Sequence, residues 1–273
     1  MFRHTEDFNA VIERATGHAP LRLDLIPTGW TNIVFEAEMP DECCFFRFPR
    51  DDFWAWVIEK DFNFVEYIRP RVSFTVPGMR LFRDDGRAFS MHRKIEGRSL
   101  QSALPTLDAA AAIRAAEGIA DVLIELAALD PSACRGGCDE RLSEFLKKLA
   151  ATHFDRLDER YYERLLNSET RSLGIVHGDL NPGNIIVGDK GEVRGVIDFG
   201  FAGIGNRMSD VSRIVGRSPA AFGTVFLGAL GRRYFEVDSA EVDGLVETWN
   251  YVEREYIGFM KRHHPEITLP PGV

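Results

Sequence analysis

The chain has 273 residues, 45% of them hydrophobic and 27% charged, which suits one large domain or two lobes and excludes a disordered or collagen-like chain. Its 33 Lys and Arg against 42 Asp and Glu leave a net charge of −9, which argues against a nucleic-acid or anionic-membrane footprint and favours a cationic small partner. No run reaches the roughly 18 apolar residues of a membrane span, and the opening Met1-Phe2-Arg3-His4-Thr5-Glu6-Asp7 has no apolar signal core, so a cytoplasmic location is expected.

In chain order, Leu21–Ile26 reads as a strand closed by the Pro27-Thr28-Gly29 turn. Ile33, Phe35, Ala37 and Met39 alternate with other residues, and Cys43–Phe48 is a β-prone run beyond Pro40-Asp41-Glu42, so the two runs form a hairpin. Trp54, Val57, Ile58, Phe62, Val65 and Ile68 recur at helical spacing, in a helix that must stop near Arg69-Pro70. Strands around Met79–Phe82 and Ala88–Lys94 follow, joined by Asp84-Asp85-Gly86. Beyond Gly97 the pattern turns helical, over Ala109–Leu129 and Leu142–Leu166. One β piece interrupts it, Ile185-Ile186-Val187 and Val193–Ile197 around the Gly188-Asp189-Lys190-Gly191 turn, before helical patterns resume from about Asp210 to His264. Strands first and helices later make an α+β class of two lobes: residues 1–96, an antiparallel sheet with one helix, and residues 97–273, larger and mainly helical with the hairpin inside.

Of the four cysteines, Cys43 and Cys44 are adjacent and face opposite ways on a strand, while Cys134 and Cys138 flank Gly136-Gly137. One such pair lacks the four ligands of a zinc site, and reduced structural thiols are expected.

The chemistry concentrates around the hairpin. His177-Gly178-Asp179-Leu180-Asn181-Pro182-Gly183-Asn184 ends just before it, and Ile197-Asp198-Phe199-Gly200 begins just after. A tight hairpin brings its ends together, so Asn184 and Asp198 are expected side by side at one cleft with Asp179 close by. Magnesium takes hard oxygen ligands and only one or two from protein, a need that Asn184 and Asp198 meet. Asp179 is then placed to orient a substrate hydroxyl and accept its proton. His177 reads as a residue that hydrogen-bonds the loop backbone, and Asp210 as a helix-start or loop-anchoring carboxylate. Between the first strands, Gly29-Trp30-Thr31-Asn32 is a candidate phosphate cradle through backbone N–H groups, although the full Gly-x-Gly-x-x-Gly and any Walker lysine are missing and a plain turn reads the same.

Asp179, Asn184 and the Asp198-Phe199-Gly200 string have the spacing of the catalytic and metal loops of the protein-kinase-like fold, and His-Gly-Asp-Leu-Asn-Pro-Gly-Asn followed by Ile-Asp-Phe-Gly resembles the aminoglycoside phosphotransferase and choline kinase branch. The resemblance implies a two-lobed kinase-like fold and an ATP- and magnesium-dependent transfer of the γ-phosphoryl group to a small-molecule hydroxyl. It gives Asp179 the catalytic role and Asn184 and Asp198 the metal. The fold's usual strand lysine is replaced by Arg47, in Phe45-Phe46-Arg47-Phe48-Pro49-Arg50, with Glu59 as its expected partner and Glu66 as fallback. Gly29 and Asn32 fall at the phosphates, and the adenine is expected against the backbone near His92 and Lys94. Gly178 stands where protein kinases carry Arg, and Asn181 where Ser/Thr kinases carry Lys, so a peptide substrate is disfavoured.

The acceptor pocket is expected from the C-terminal helices, where Glu236, Asp238, Glu241, Asp243, Glu247, Glu253 and Glu255 interleave with Trp249, Tyr251 and Tyr256. An acidic, aromatic-walled cleft suits an amine-bearing alcohol such as an aminoglycoside, and a solvated helix face reads the same. A sugar, macrolide or choline-like acceptor, and a catalytically silent nucleotide-binding regulator, remain as alternatives.

Overall fold

The computed structural model describes residues 2–3, 7–27, 31–134, 139–217, 228–231, 234 and 239–265. Helix α1 (Phe8–Thr16) opens the chain, capped by the Asp7 side chain on Ala10 N and ended by Gly17 at φ +80°. Strands β1 (Arg22–Ile26), β2 (Asn32–Glu38), β3 (Cys43–Pro49), β4 (Met79–Asp84) and β5 (Arg87–Arg93) form one antiparallel sheet in the order β1-β2-β3-β5-β4. Between β3 and β4 runs α2 (Asp52–Ile68), whose Asp51 cap accepts from Trp54 N. The sheet and α2 match the sequence expectation, but α1 makes a second helix where one was expected. Its nine residues bury only Phe8, Val11 and Ile12, too short a stripe to stand out from a strand-rich background.

The rest of the chain supplies β6 (Arg98–Ser99), α3 (Leu100–Ala103), α4 (Ala109–Ala128), α5 (Leu142–His153), α6 (Glu159–Ser168), β7 (Leu173–Val176), β8 (Ile185–Val187), β9 (Val193–Val196), β10 (Gly203–Asn206), α7 (Met208–Arg217) and α8 (Ser239–His263). The pattern over Leu142–Leu166 divides into α5 and α6 because Asp158 caps a new helix by accepting from Arg160 N. The predicted hairpin forms, with Ile185 opposite Val196 and Ile186 opposite Gly195, and β6 extends it on the β8 side. Strand β10 returns beside β7, antiparallel.

Two apolar cores result. Phe2, Phe8, Phe46, Phe48, Phe89 and Met91 pack between α1 and the sheet. Trp54, Val57, Ile58, Phe64, Val65 and Ile68 of α2 instead join the core of the C-terminal helices. Among the described residues, no helix is long and apolar enough to cross a membrane. Cys43 and Cys44 are free as expected, but Cys134 is disulfide-bonded, which corrects the expectation of a reduced thiol there; its partner lies outside the described residues.

Candidate active site

The hairpin does what its spacing requires. Ile197 N donates to Asn184 O at 3.0 Å, tying the two flanking loops together at the open end. A single 3₁₀ turn, Pro182–Asn184, held by Asn181 Oδ1 on Gly183 N, swings the Asn184 side chain back so that Nδ2 donates to Asp179 O (2.9 Å) and Asp179 Oδ2 (3.3 Å). Asp198 sits at φ +68°, a left-handed conformation that Asp tolerates better than most residues. Asp179 and Asp198 line one cleft together with Arg47, Arg213 and Glu253, between walls that include Trp54, Phe201, Trp249 and Tyr256. Asn184 reaches this group through Asp179 and is not itself part of the cleft wall.

The loops are braced from below. His177 places Nε2 3.0 Å from Ile197 O while Nδ1 accepts from Asp179 N at 3.2 Å, so its ring ties the Asp179 loop to the Asp198 loop, the backbone-bonding role expected of it. Buried Asp210 accepts from His177 N and Gly178 N, both at 2.8 Å, and is therefore a loop anchor; the start of α7 is held instead by Asn206 Oδ1 on Met208 N. Burial pushes the Asp210 carboxyl up, and His177 with those two N–H groups opposes it. Gly178 has φ +77°, and a Cβ there would lie 2.4 Å from Phe201 O. The protein-kinase Arg has no room at this position.

Arg47 bridges two carboxylates: Nη1 reaches Asp61 Oδ2 at 2.8 Å and Nη2 reaches Asp198 Oδ1 at 2.9 Å. This corrects the expected pairing. Glu59 turns outward to Arg83 at 2.5 Å, and Glu66 pairs with Arg69 at 3.4 Å. Helix phase explains the choice, because residue 61 is three or four positions from Val57, Ile58, Phe64 and Val65 and so falls on the buried stripe. Arg is longer than Lys and Asp shorter than Glu, so the exchange of both keeps the span of the pair. Burial pushes the Asp61 carboxyl up to about 6 against the opposing pull of Arg47. Asp61→Ala is expected to cost about 3–5 kcal/mol, the penalty for breaking a buried ion pair. Glu59→Ala, at an exposed pair, should stay within ~1 kcal/mol; urea unfolding of both variants checks the contrast.

Arg213 was not foreseen from the sequence. From α7 its Nε (3.0 Å) and Nη2 both hold Asp179 Oδ1, while Nη1 reaches Glu253 Oε1 of α8 at 2.9 Å. Burial pushes the Asp179 carboxyl up, but the Arg213 guanidinium outweighs it and the net direction is down. Arg213 also lies 5.1 Å over the Trp249 ring, and Arg217 shares Glu253 at 2.9 Å.

The remaining predicted residues are dispersed. Gly29 lies outside the described residues. Asn32 is buried, its Nδ2 on Thr31 Oγ1 at 2.8 Å and its Oδ1 without a partner among the described residues. His92 is buried beside Ser90 Oγ at 3.0 Å, with burial and Arg47 pushing its imidazole well below the usual range, and Lys94 is bound to Glu36 at 2.6 Å. Neither lines the cleft. Of the predicted acidic set, Glu236 and Asp238 are outside the described residues. Glu241 meets Asn206, Glu247 meets Arg164 and Glu255 meets Arg254, while Asp243 is exposed and away from the cleft, which leaves Glu253 in the cleft. Trp249 and Tyr256 do form walls there, whereas Tyr251 stacks on Tyr161 elsewhere.

Hard oxygens are available for a small divalent cation. No cluster of three or more His, Cys, Asp or Glu is arranged for a metal among the described residues. Asp198 Oδ2 and Asn184 Oδ1, however, have no protein hydrogen-bond partner among them. Magnesium asks for no more protein oxygens than these two, so the donor set fits it.

Several solved structures share this architecture. A GDP and kanamycin complex of APH(2″)-IIIa superposes with a TM-score of 0.71 at 20% identity, over 95% of this chain and 94% of that one. APH(3″)-Id from Streptomyces rimosus gives 0.70 at 19% identity, over 90% and 98%. Macrolide 2′-phosphotransferase MphH from Brachybacterium faecium gives 0.64 at 17% identity, over 94% of each chain. These likenesses establish a kinase-like fold. No curated protein sequence matches the chain significantly. The model of the phosphotransferase enzyme family APH matches residues 22–245, most of the length, and the chain belongs to that family.

Proposed function

We propose that the protein transfers the γ-phosphoryl group of ATP to a hydroxyl of a small molecule bound beside Asp179. The observation that carries this reading is the convergence of Asp179, Asp198 and Arg47 in one cleft, with Asn184 hydrogen-bonded to Asp179. Asp198 and Asn184 would hold magnesium through their side-chain oxygens, and the bound ion would neutralise charge on the phosphates. Arg47, fixed by Asp61, directs its permanent charge at the same phosphates.

The transfer balances on residues of this chain. The acceptor oxygen bonds to the γ-phosphorus, the bond from that phosphorus to the β-γ bridging oxygen breaks, and ADP leaves. Asp179 presents Oδ2 to the acceptor hydroxyl and takes its proton, because Arg213 holds Oδ1 through two nitrogens while Oδ2 carries the longer 3.3 Å bond from Asn184. Trp54, Phe201, Trp249 and Tyr256 offer flat walls to the acceptor's carbon skeleton. The relative solved with GDP and kanamycin supports both a nucleotide and an amine-bearing alcohol as ligands here, as does the macrolide enzyme for a hydroxyl acceptor.

The test is a panel of aminoglycosides, macrolides, amino sugars, choline-like alcohols and simple sugars, scored by nucleoside diphosphate release with ATP and GTP in parallel. Acceptor-dependent, magnesium-dependent release with at least one class is expected. No release with any class, while Mg-ATP still raises the melting temperature, would overturn catalysis and leave a nucleotide-binding regulator.

A further inference from the structure

Lys60 is a buried cation with an unusual set of partners. Its residue is 2% exposed, a rare environment for a lysine. Nζ donates to Ala202 O at 2.6 Å and to Gly200 O at 3.3 Å, and lies 4.5 Å over the Phe145 ring. No carboxylate accepts a hydrogen bond from it among the described residues. Two backbone carbonyls of the loop that follows Asp198 thus hold the ammonium where a hydrophobic residue would have packed with less desolvation.

That loop needs fixing. Asp198 is left-handed at φ +68°, a conformation that persists only where surroundings determine it. The loop also lies tight on α2, since a Cβ at Gly200 would come 2.7 Å from Val57 Cγ1. Consecutive residues of α2 then act on it from two sides: Asp61 holds Arg47 against Asp198 Oδ1, and Lys60 holds the backbone beyond.

We propose that Lys60 is a positioning residue for the metal loop: its ammonium pins Gly200 and Ala202 to α2 and so fixes the direction of the Asp198 carboxylate. The inference rests on the reading of Asp198 as a metal ligand. Burial brings the Lys60 ammonium down to about 8; Glu140 and Asp61 pull it up and Lys148 pushes it down. Glu59, Asp139 and Glu144 line the outer side of the same pocket. Above about pH 8 the ammonium loses its charge, and its bonds to the two carbonyls are expected to weaken because charge-assisted hydrogen bonds are the stronger ones. Stability moves the other way. Between about 8 and the ordinary 10.5, the unfolded chain binds more protons at this site than the folded one, so its contribution to stability rises with pH.

Opposite trends separate a positioning role from a structural one. Lys60→Met is compared with the unsubstituted protein from pH 7 to 9.5, at saturating Mg-ATP, for kcat, acceptor KM and amide exchange at Phe199–Ala202. At pH 7, kcat is expected to fall roughly 10- to 100-fold with KM within about 3-fold, and the loop amides are expected to exchange faster. The ratio of the two kcat values should approach one above pH 9. A ratio constant with pH, or unchanged loop exchange, overturns the proposal. If Lys60→Met does not fold, loop exchange in the unsubstituted protein decides, taken relative to α4 at pH 7 and 9. A rise supports the pin, and an unchanged ratio removes it. Exchange needs no acceptor, so a failed substrate panel and a failed Lys60 test remain distinguishable.

Discussion

Replacement of Asp198 should end turnover while leaving the fold in place. A bound metal contributes several kcal/mol of charge stabilisation in phosphoryl transfer, and at 1.36 kcal/mol per tenfold its loss corresponds to roughly 10³-fold or more in kcat. Asp198→Ala removes the carboxylate but also puts alanine at φ +68°, at a backbone cost of about 1–2 kcal/mol. Asp198→Asn is the better-controlled variant, because Asn tolerates that conformation and is close in size. Both should lose magnesium-dependent ATP consumption, with Asp198→Asn retaining the parent melting temperature more closely. Arg47 keeps Asp61 in either variant, so the sheet should stay joined to α2. Unchanged magnesium-dependent consumption in Asp198→Asn would remove the metal assignment.

Asp179→Asn should lower kcat by roughly 10²–10⁴, the usual range for a general base, with ATP affinity nearly unchanged. The side chain stays in place because Asn184 and Arg213 still flank it, but the amide can no longer accept a proton from the acceptor hydroxyl. Equilibrium titration with ATP and magnesium separates the two roles. A large loss of nucleotide affinity in this variant would show that Asp179 carries the metal, and the roles of 179 and 198 would have to be exchanged. Part of any stability loss will come from Arg213, whose ion pair with residue 179 becomes a hydrogen bond to a neutral amide while that with Glu253 remains.

The sequence made legible whatever depends on local spacing. The hairpin, the α2 stripe and the strings around Asp179 and Asp198 each occupy a short window in which periodicity or turn chemistry decides the outcome. Partners across long separations were less accessible, but not uniformly so. Asp61 carried a usable signal, a carboxylate in phase with Val57, Ile58, Phe64 and Val65, which the nearer and more familiar glutamate at 59 obscured. Arg213 carried none, because its contact with Asp179 depends on how α7 packs, and α8 is needed to supply Glu253. The acidic set of α8 shows the limit of composition: most of its carboxylates spend their charge on nearby Arg or Asn, and only the helix phase puts Glu253 into the cleft. The expectation at His92 and Lys94 concerns their backbone, a contact that side-chain chemistry does not encode; their side chains pair with Ser90 and Glu36.

Because α2 contributes Trp54, Val57, Ile58, Phe64, Val65 and Ile68 to the larger core, it cannot swing away from the C-terminal body as a switch element. Exposing those six side chains, at about 1.5–3 kcal/mol each, would consume roughly the whole stability of a folded domain, about 5–15 kcal/mol. An on-off cycle driven by helix displacement is therefore closed to this molecule. The contacts that α2 makes with the site, Asp61 on Arg47 and Lys60 on the loop beyond Asp198, are therefore built in at folding and do not wait on a later rearrangement of the helix.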